Sequence, residues 1–209
     1  MPESLLAGYR RFREGYFRDH RQRLEALAQG QSPRIAVVSC CDSRVDPAIV
    51  FDAQPGELFV IRNVASLVPP CESEGQYHGT SAALEFAVTG LGVAHIVVLG
   101  HAQCGGIRAL VDHRRLGTPP RSFIAHWVSM AYPCVDALDG EATSQKAVEQ
   151  AAVRLSVDNL QSFPWIAERV ESGSLSLHGW YYDLATGTVE RLQTIEGAAD
   201  QQRHNEEAR

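Results

Sequence analysis

The stretch RIAVVSC, residues 34–40, is an almost unbroken apolar run, rich in β-branched side chains, that ends on a serine and a cysteine. A strand wetted on one face alternates apolar with polar residues; one covered on both faces reads as a continuous apolar run. Two further stretches have the same character, ELFVIRNVA at 57–65 and AHIVVLGHA at 94–102. Between these two, GTSAALEFAVTGLG at 79–92 is rich in Ala and Leu, opens near the cap-forming Thr80 and Ser81, and closes in glycines. That pattern predicts a helix crossing between parallel strands. Buried strands alternating with helices predict an α/β fold, a single domain with a mostly parallel central β-sheet flanked by helices.

Outward from this centre, helical patterns follow at 104–117, 120–133 and 144–163, and a short one at 164–173 starts on proline and ends on glycine. LSLHGWYYDLATGTVERLQT, residues 175–194, reads as two C-terminal edge strands joined by a Thr-Gly turn. Upstream, Leu5, Leu6, Tyr9, Phe12, Tyr16, Leu24 and Leu27 recur on one helical face, with a break expected near Arg18–His20. The predicted organisation is an N-terminal helical arm over 1–30, an α/β domain over 31–195 and a flexible polar tail over 196–209.

A chain of 209 residues with 44% hydrophobic content supports one well-cored domain. A formal charge of −6 argues against a nucleic-acid partner, and no apolar stretch is long enough to span a bilayer. The N-terminal segment mixes charges of both signs and lacks the apolar centre of an export signal, so a soluble, cytoplasmic protein is expected. Its five cysteines, an odd and sparse set, point away from a disulfide framework and toward core, metal or catalytic roles.

In open parallel sheets, ligands gather at the carboxyl ends of the strands. Two cysteine-bearing segments fall there, SCCDSR at 39–44 and GHAQCGG at 100–106. His101-x-x-Cys104 offers an imidazole and a thiol to one ion from a single turn, and such soft donors favour zinc. Alone, that pair is as often an ordinary strand-end loop. Alternation along extended backbone groups Cys40 with Asp42 and Arg44 and turns Cys41 away as a small apolar filler. Cys40, His101 and Cys104 then make three ligands with a fourth position open, the arrangement of a catalytic zinc. Asp42 can orient a water there or fill the position itself, and Arg44 pairs with its carboxylate.

These residues carry a resemblance. The sequence resembles the β-class carbonic anhydrases, whose pattern of Cys-x-Asp-Ser-Arg followed by His-x-x-Cys-Gly stands here as Cys40–Arg44 and His101–Gly105. FDAQPGELFVIRNVASLVPP, GTSAALEFAV and LHGWYYDLATG extend the likeness over roughly residues 20 to 193. The resemblance implies reversible hydration of CO2 to bicarbonate and a proton by a zinc-bound hydroxide, with one Zn2+ per subunit on Cys40, His101 and Cys104. It implies an orienting dyad of Asp42 and Arg44, and a homodimer or homotetramer joined through N-terminal helices. It places Gln31 as a hydrogen-bond donor to substrate, Phe59 and Val64 as an apolar wall, and Gly105 beside them. Phe86 stands where one branch carries tyrosine. Val37 replaces the tryptophan of a bicarbonate-regulated branch, although Arg62 and Tyr182 are present.

Alternatives are a CS2 or COS hydrolase on the same scaffold, or a non-catalytic zinc-bearing interaction protein. His78, His95 and His113 are candidate proton shuttles, with His95 better read as packed and His113 as a helix-surface residue. Cys71 reads as an exposed thiol and Cys134 as structural. The ligand assignment predicts that Cys40→Ser, His101→Ala or Cys104→Ser strips the metal from purified protein. Cys41→Ser should retain it, and metal analysis showing a Cys41→Ser protein without metal would overturn the separation of the two adjacent thiols.

Overall fold

The computed structural model describes residues 2–72, 78–117, 122–138 and 144–196. The predicted tail therefore lies outside the described residues except at Glu196. The chain divides into two compact units, residues 1–32 and 33–209.

In the N-terminal unit, α1 (Pro2–Phe12) runs into a wide π-turn (Arg13–Phe17), and α2 (Arg21–Leu27) follows. The break falls at His20, whose backbone leaves the helical region with φ −113° and ψ 23°. The rings of Phe12 and Tyr16 stack, and Tyr16 in turn meets His20 at 4.2 Å between centroids. None of the three segments buries a residue, so Leu5, Leu6 and Tyr9 present an uncovered apolar face.

The second unit is the α/β body. Its strands are β1 (Ile35–Cys40), β2 (Leu58–Asn63), β3 (His95–His101), β4 (Ser176–Tyr182) and β5 (Val189–Ile195). They form one sheet in the order β2-β1-β3-β4-β5, the first four parallel and β5 antiparallel on the edge. The helices are α3 (Pro47–Val50), α4 (Gly79–Glu85), α5 (Gly105–Leu116), α6 (Phe123–Val128), α7 (Tyr132–Asp136), α8 (Gln145–Leu160) and α9 (Pro164–Glu171).

Period-two alternation divides the sheet's apolar residues between two layers. Ala36, Val38, Ile96, Val98 and Leu177 pack with Leu84, Val153, Val157 and Ile166 from the helices. Val37, Val97 and Leu99 face the other way, against Val45, Phe51 and Trp180. His95 lies on β3, half-buried, with Nδ1 3.3 Å from Nε2 of His178 on β4.

One expectation is corrected, and one short helix was not expected. The helix read over 120–133 is two helices with a 3-10 turn, Ser129–Ala131, between them, because Pro133 cannot donate into a continuing helix and instead sits in the first turn of α7. The short α3 carries no apolar periodicity to announce it; Asp46 caps it by accepting from Ala48 N at 2.9 Å.

α8 lies very close to β3 and β4, because Gly100 and Gly179 present no side chain to it. A Cβ on Gly100 would overlap Val153 Cγ2, and one on Gly179 would sit 3.0 Å from Val153 Cγ1. Val153 is β-branched and cannot swing aside cheaply. Gly100→Ala is therefore expected to destabilise the protein by about 1–3 kcal/mol in urea unfolding, with part of the loss recovered on adding Val153→Ala. An unchanged midpoint for Gly100→Ala would overturn this packing account.

Candidate metal centre

β1 ends on Cys40 and the adjacent parallel β3 ends on His101, so both side chains arrive at the same edge of the sheet. Beyond His101 the chain turns through Gln103, whose φ of 55° lies in the left-handed region, and reaches Cys104, the N-cap of α5. Ala102 N pins the turn to Tyr182 O at 2.9 Å. The close approach also needs Gly106, where a Cβ would come within 2.8 Å of Val64 Cγ1 and 2.9 Å of Ala65 Cβ.

Cys40 Sγ and Cys104 Sγ are 3.9 Å apart, and each residue of the set Cys40, His101 and Cys104 offers a ligand atom within 4.8 Å of the others, all three residues buried. His101 Nδ1 lies 2.9 Å from Ala102 O, which can only accept, so Nδ1 carries the proton. Nε2 is then a buried lone pair with no partner. Such orphans are rare unless an ion or water completes them. Two sulfurs on one tetrahedral zinc, each at about 2.3 Å, are roughly 3.8 Å apart. The donor set and its spacing therefore fit a single zinc ion.

The sulfurs are electrostatically unequal. Hydrogen bonding to Cys104, with the His101 ring and the Asp42 and Ala65 backbone close by, outweighs burial and pushes the Cys40 thiol well below its ordinary range. Cys104, as the partner that keeps the proton and is itself buried, is driven up. Burial opposes charge on His101, but the adjacent Cys40 sulfur raises it.

Asp42 and Arg44 pair as expected, by a different local geometry. Extended backbone stops at Cys40, and residues 42–45 form a turn closed by Val45 N to Asp42 O at 3.1 Å. Asp42 Oδ1 accepts from Arg44 N at 2.9 Å, an Asx-type turn, and from Arg44 Nε at 2.9 Å, while Oδ2 accepts from Nη2 at 2.7 Å. The Arg44 side chain holds the Asp42 carboxyl well below the usual carboxylate range. Arg44 Nη2 also donates to Gln103 O at 3.2 Å, joining the two motifs. Cys40 is buried and Cys41 exposed, so Cys41 is not the packed apolar filler expected.

Phe59 is half-buried and meets Phe86, which is 51% exposed, at 5.9 Å between ring centroids. Val64 lies against the start of α5, and its carbonyl accepts from Trp127 Nε1 at 2.8 Å. Gly105 is exposed, and a Cβ there would meet open space. Gln31 is exposed and belongs to the N-terminal unit. Cys71 is exposed and Cys134 is buried.

Two residues around the centre were not singled out from sequence for what they hold. Arg62 donates to Cys40 O at 2.9 Å, to Asp42 O at 2.7 Å, to Val45 O at 3.1 Å and to Asp46 Oδ2 at 3.2 Å, clasping the whole dyad loop. Glu149 is 3% exposed and accepts from Cys104 N at 2.9 Å. The available signal was a charged residue placed inside an apolar pattern: Arg62 in LFVIRN and Glu149 among Val148, Ala152 and Val153.

The family model described as "Carbonic anhydrase" matches residues 35–189. The chain is 39% identical over 212 residues to beta carbonic anhydrase 5, chloroplastic, of Arabidopsis thaliana, covering 99% of this chain and 68% of that protein. Among solved structures it is similar to the beta-carbonic anhydrase CcaA, with TM-score 0.81 and 32% identity over 93% of this chain and 98% of the other. It is also similar to tetrameric beta-carbonic anhydrases of Sordaria macrospora, with TM-score 0.71 and 28% identity over 91% and 93%.

The Arg62 clasp generates a stability prediction. A lysine ammonium cannot reach three carbonyls and a carboxylate from one fixed fork. Arg62→Lys should cost about 1.5–3 kcal/mol in urea unfolding, whereas Asp46→Asn, at a partly exposed ion pair, should cost under about 1 kcal/mol. Equal stability of Arg62→Lys and the parent protein would overturn the clasp.

Proposed function

The chain belongs to the β-class carbonic anhydrases, and on that premise we propose which of its residues carry out the family's reversible hydration of CO2 to bicarbonate and a proton. The observation that carries the assignment is the convergence of Cys40 Sγ, Cys104 Sγ and the unpartnered His101 Nε2 beside a carboxylate already held by arginine. Cys40, His101 and Cys104 hold one Zn2+ per subunit. When bound, the ion supplies Lewis acidity that brings a water's pKa to roughly 7 and makes it a nucleophile at neutral pH.

The chain's own residues then do the positioning. Arg44 keeps Asp42 ionised and turned in one direction, so the lone pair left on Oδ2 accepts a hydrogen bond from the attacking water and aims it. Phe59, Phe86 and Val64 provide an apolar surface suited to a non-polar gas, and the open space at Gly105 leaves room beside it. Phe86 offers no hydroxyl at its position, so fewer polar contacts hold the product bicarbonate.

We also propose a homodimer or homotetramer. Support comes from the tetrameric relatives and from apolar side chains left exposed, Phe86, Leu116 and Phe123 among them. No helix of the described residues is long and apolar enough to cross a membrane. The cysteines are all free, which suits a reducing compartment such as the cytosol.

Zinc content and stopped-flow CO2 hydration, measured on the same preparation, test this reading. The parent protein should carry one zinc per chain and hydrate CO2. Asp42→Asn should keep the zinc and lose roughly 100-fold in turnover. A zinc-loaded protein that hydrolysed CS2 or COS but did not hydrate CO2 would overturn the substrate assignment; full turnover by Asp42→Asn would overturn the dyad.

A further inference from the structure

The backbone of Cys104 sits at a difficult point. It is buried and precedes α5, so its N–H has no helical partner, and a buried unpartnered N–H is costly. Its N–H is satisfied from α8, and its carbonyl, which already accepts from Arg108 N at 3.0 Å, takes a second hydrogen bond from the same helix. Glu149 Oε1 accepts from Cys104 N at 2.9 Å, and Gln145 Nε2 donates to Cys104 O at 3.2 Å. The same Gln145 amide donates to Glu149 Oε1 at 2.8 Å, an i,i+4 contact that ties the two jaws together. Glu149 Oε2 accepts from Tyr181 Oη at 2.7 Å, and Tyr181 is 2% exposed on β4, paired with Gly100 beside His101.

We propose that Gln145 and Glu149, anchored by Tyr181, form a backbone clamp that sets the direction of the Cys104 sulfur and with it the affinity and geometry of the metal centre. The inference rests on the ligand set proposed above. With the peptide groups on both sides of Cys104 held, its backbone cannot rotate, so Sγ is aimed before any ion arrives. Cys40 needs no such device, since β1 already lies in the sheet ladder and Arg62 holds its carbonyl. Cys104 leaves its strand through a left-handed turn, and α5 takes up only its carbonyl, through Arg108 N, leaving its N–H to α8. Gln145 and Glu149 are thus positioning residues, acting on the ligand's backbone. Three donors converge on Glu149, so an amide can replace the carboxylate in kind: its oxygen accepts from Cys104 and Gln145, and its NH2 meets Tyr181 Oη, which can also accept.

The experiment measures zinc affinity of the full chain by competition with a chromophoric chelator, and the ultraviolet–visible spectrum of the cobalt(II)-substituted protein, for four proteins. These are the parent, Glu149→Ala, Glu149→Gln and Gln145→Ala. Glu149→Ala is expected to weaken zinc roughly 10- to 100-fold and to shift the thiolate-to-cobalt bands, with Gln145→Ala doing the same to a smaller degree. Glu149→Gln should stay close to the parent in both readouts. Folded Glu149→Ala and Gln145→Ala proteins with parental affinity and spectrum would overturn the clamp. So would a Glu149→Gln protein as impaired as Glu149→Ala, since the charge rather than the hydrogen bonds would then matter. If Glu149→Ala does not fold, Gln145→Ala decides, because it removes one jaw from a half-buried position and leaves the carboxylate in place. A parent protein that took up neither zinc nor cobalt would instead sink the ligand set itself.

Discussion

The parallel pairing of β1 with β3, from Ile35 opposite His95 to Ser39 opposite Leu99, is the constraint on which the rest of the centre depends. Parallel neighbours must end on the same edge, so the residues that follow them are delivered together without any long excursion of the chain. Cys40 is the last residue of one strand and His101 the last of the other. Had the two strands run antiparallel, the cysteine and the histidine would sit at opposite ends of the sheet. The apolar runs that bury both strands therefore also fix where the polar chemistry can be.

Around that edge, each group meets its polar partners through short local devices rather than through a broad charged surface. An Asx turn holds Arg44 on Asp42, a left-handed residue swings Cys104 back toward His101, and one arginine collects three loop carbonyls. Charged hydrogen bonds of this kind are short and directional, and here they freeze the loop that carries the dyad. The unequal thiols follow from the same crowding: two sulfurs this close cannot both carry charge unless a cation lies between them.

Much of this was legible in the residues. The continuous apolar runs at 34–40, 57–65 and 94–102 marked buried strands, and the glycine-closed helix at 79–92 implied the crossover. Cys40, His101 and Cys104 were recognisable as a set because strand ends share an edge, and the structure brings them together. Alternation separated Cys40 from Cys41 but did not extend to Arg44, which returns to Asp42 through a turn whose shape depends on hydrogen bonds to side chains. The contacts of Glu149 could not be read, since they require α8 to lie against the start of α5, a placement that no local pattern encodes. The split of the 120–133 helix turned on a single proline whose effect depends on its position within a turn.

The seam between α8 and the sheet has a reach beyond packing. Gly100 and Gly179 set how deep that helix lies, and the helix carries at its beginning the two side chains that hold Cys104. The depth of the seam is therefore a gauge for the thiol chemistry, although no ligand is part of it. Redesign that thickened this layer for extra apolar contact would tilt the helix and misalign a sulfur that it never touches. In this protein the tolerance of the metal centre is inherited from the two smallest residues in the sheet.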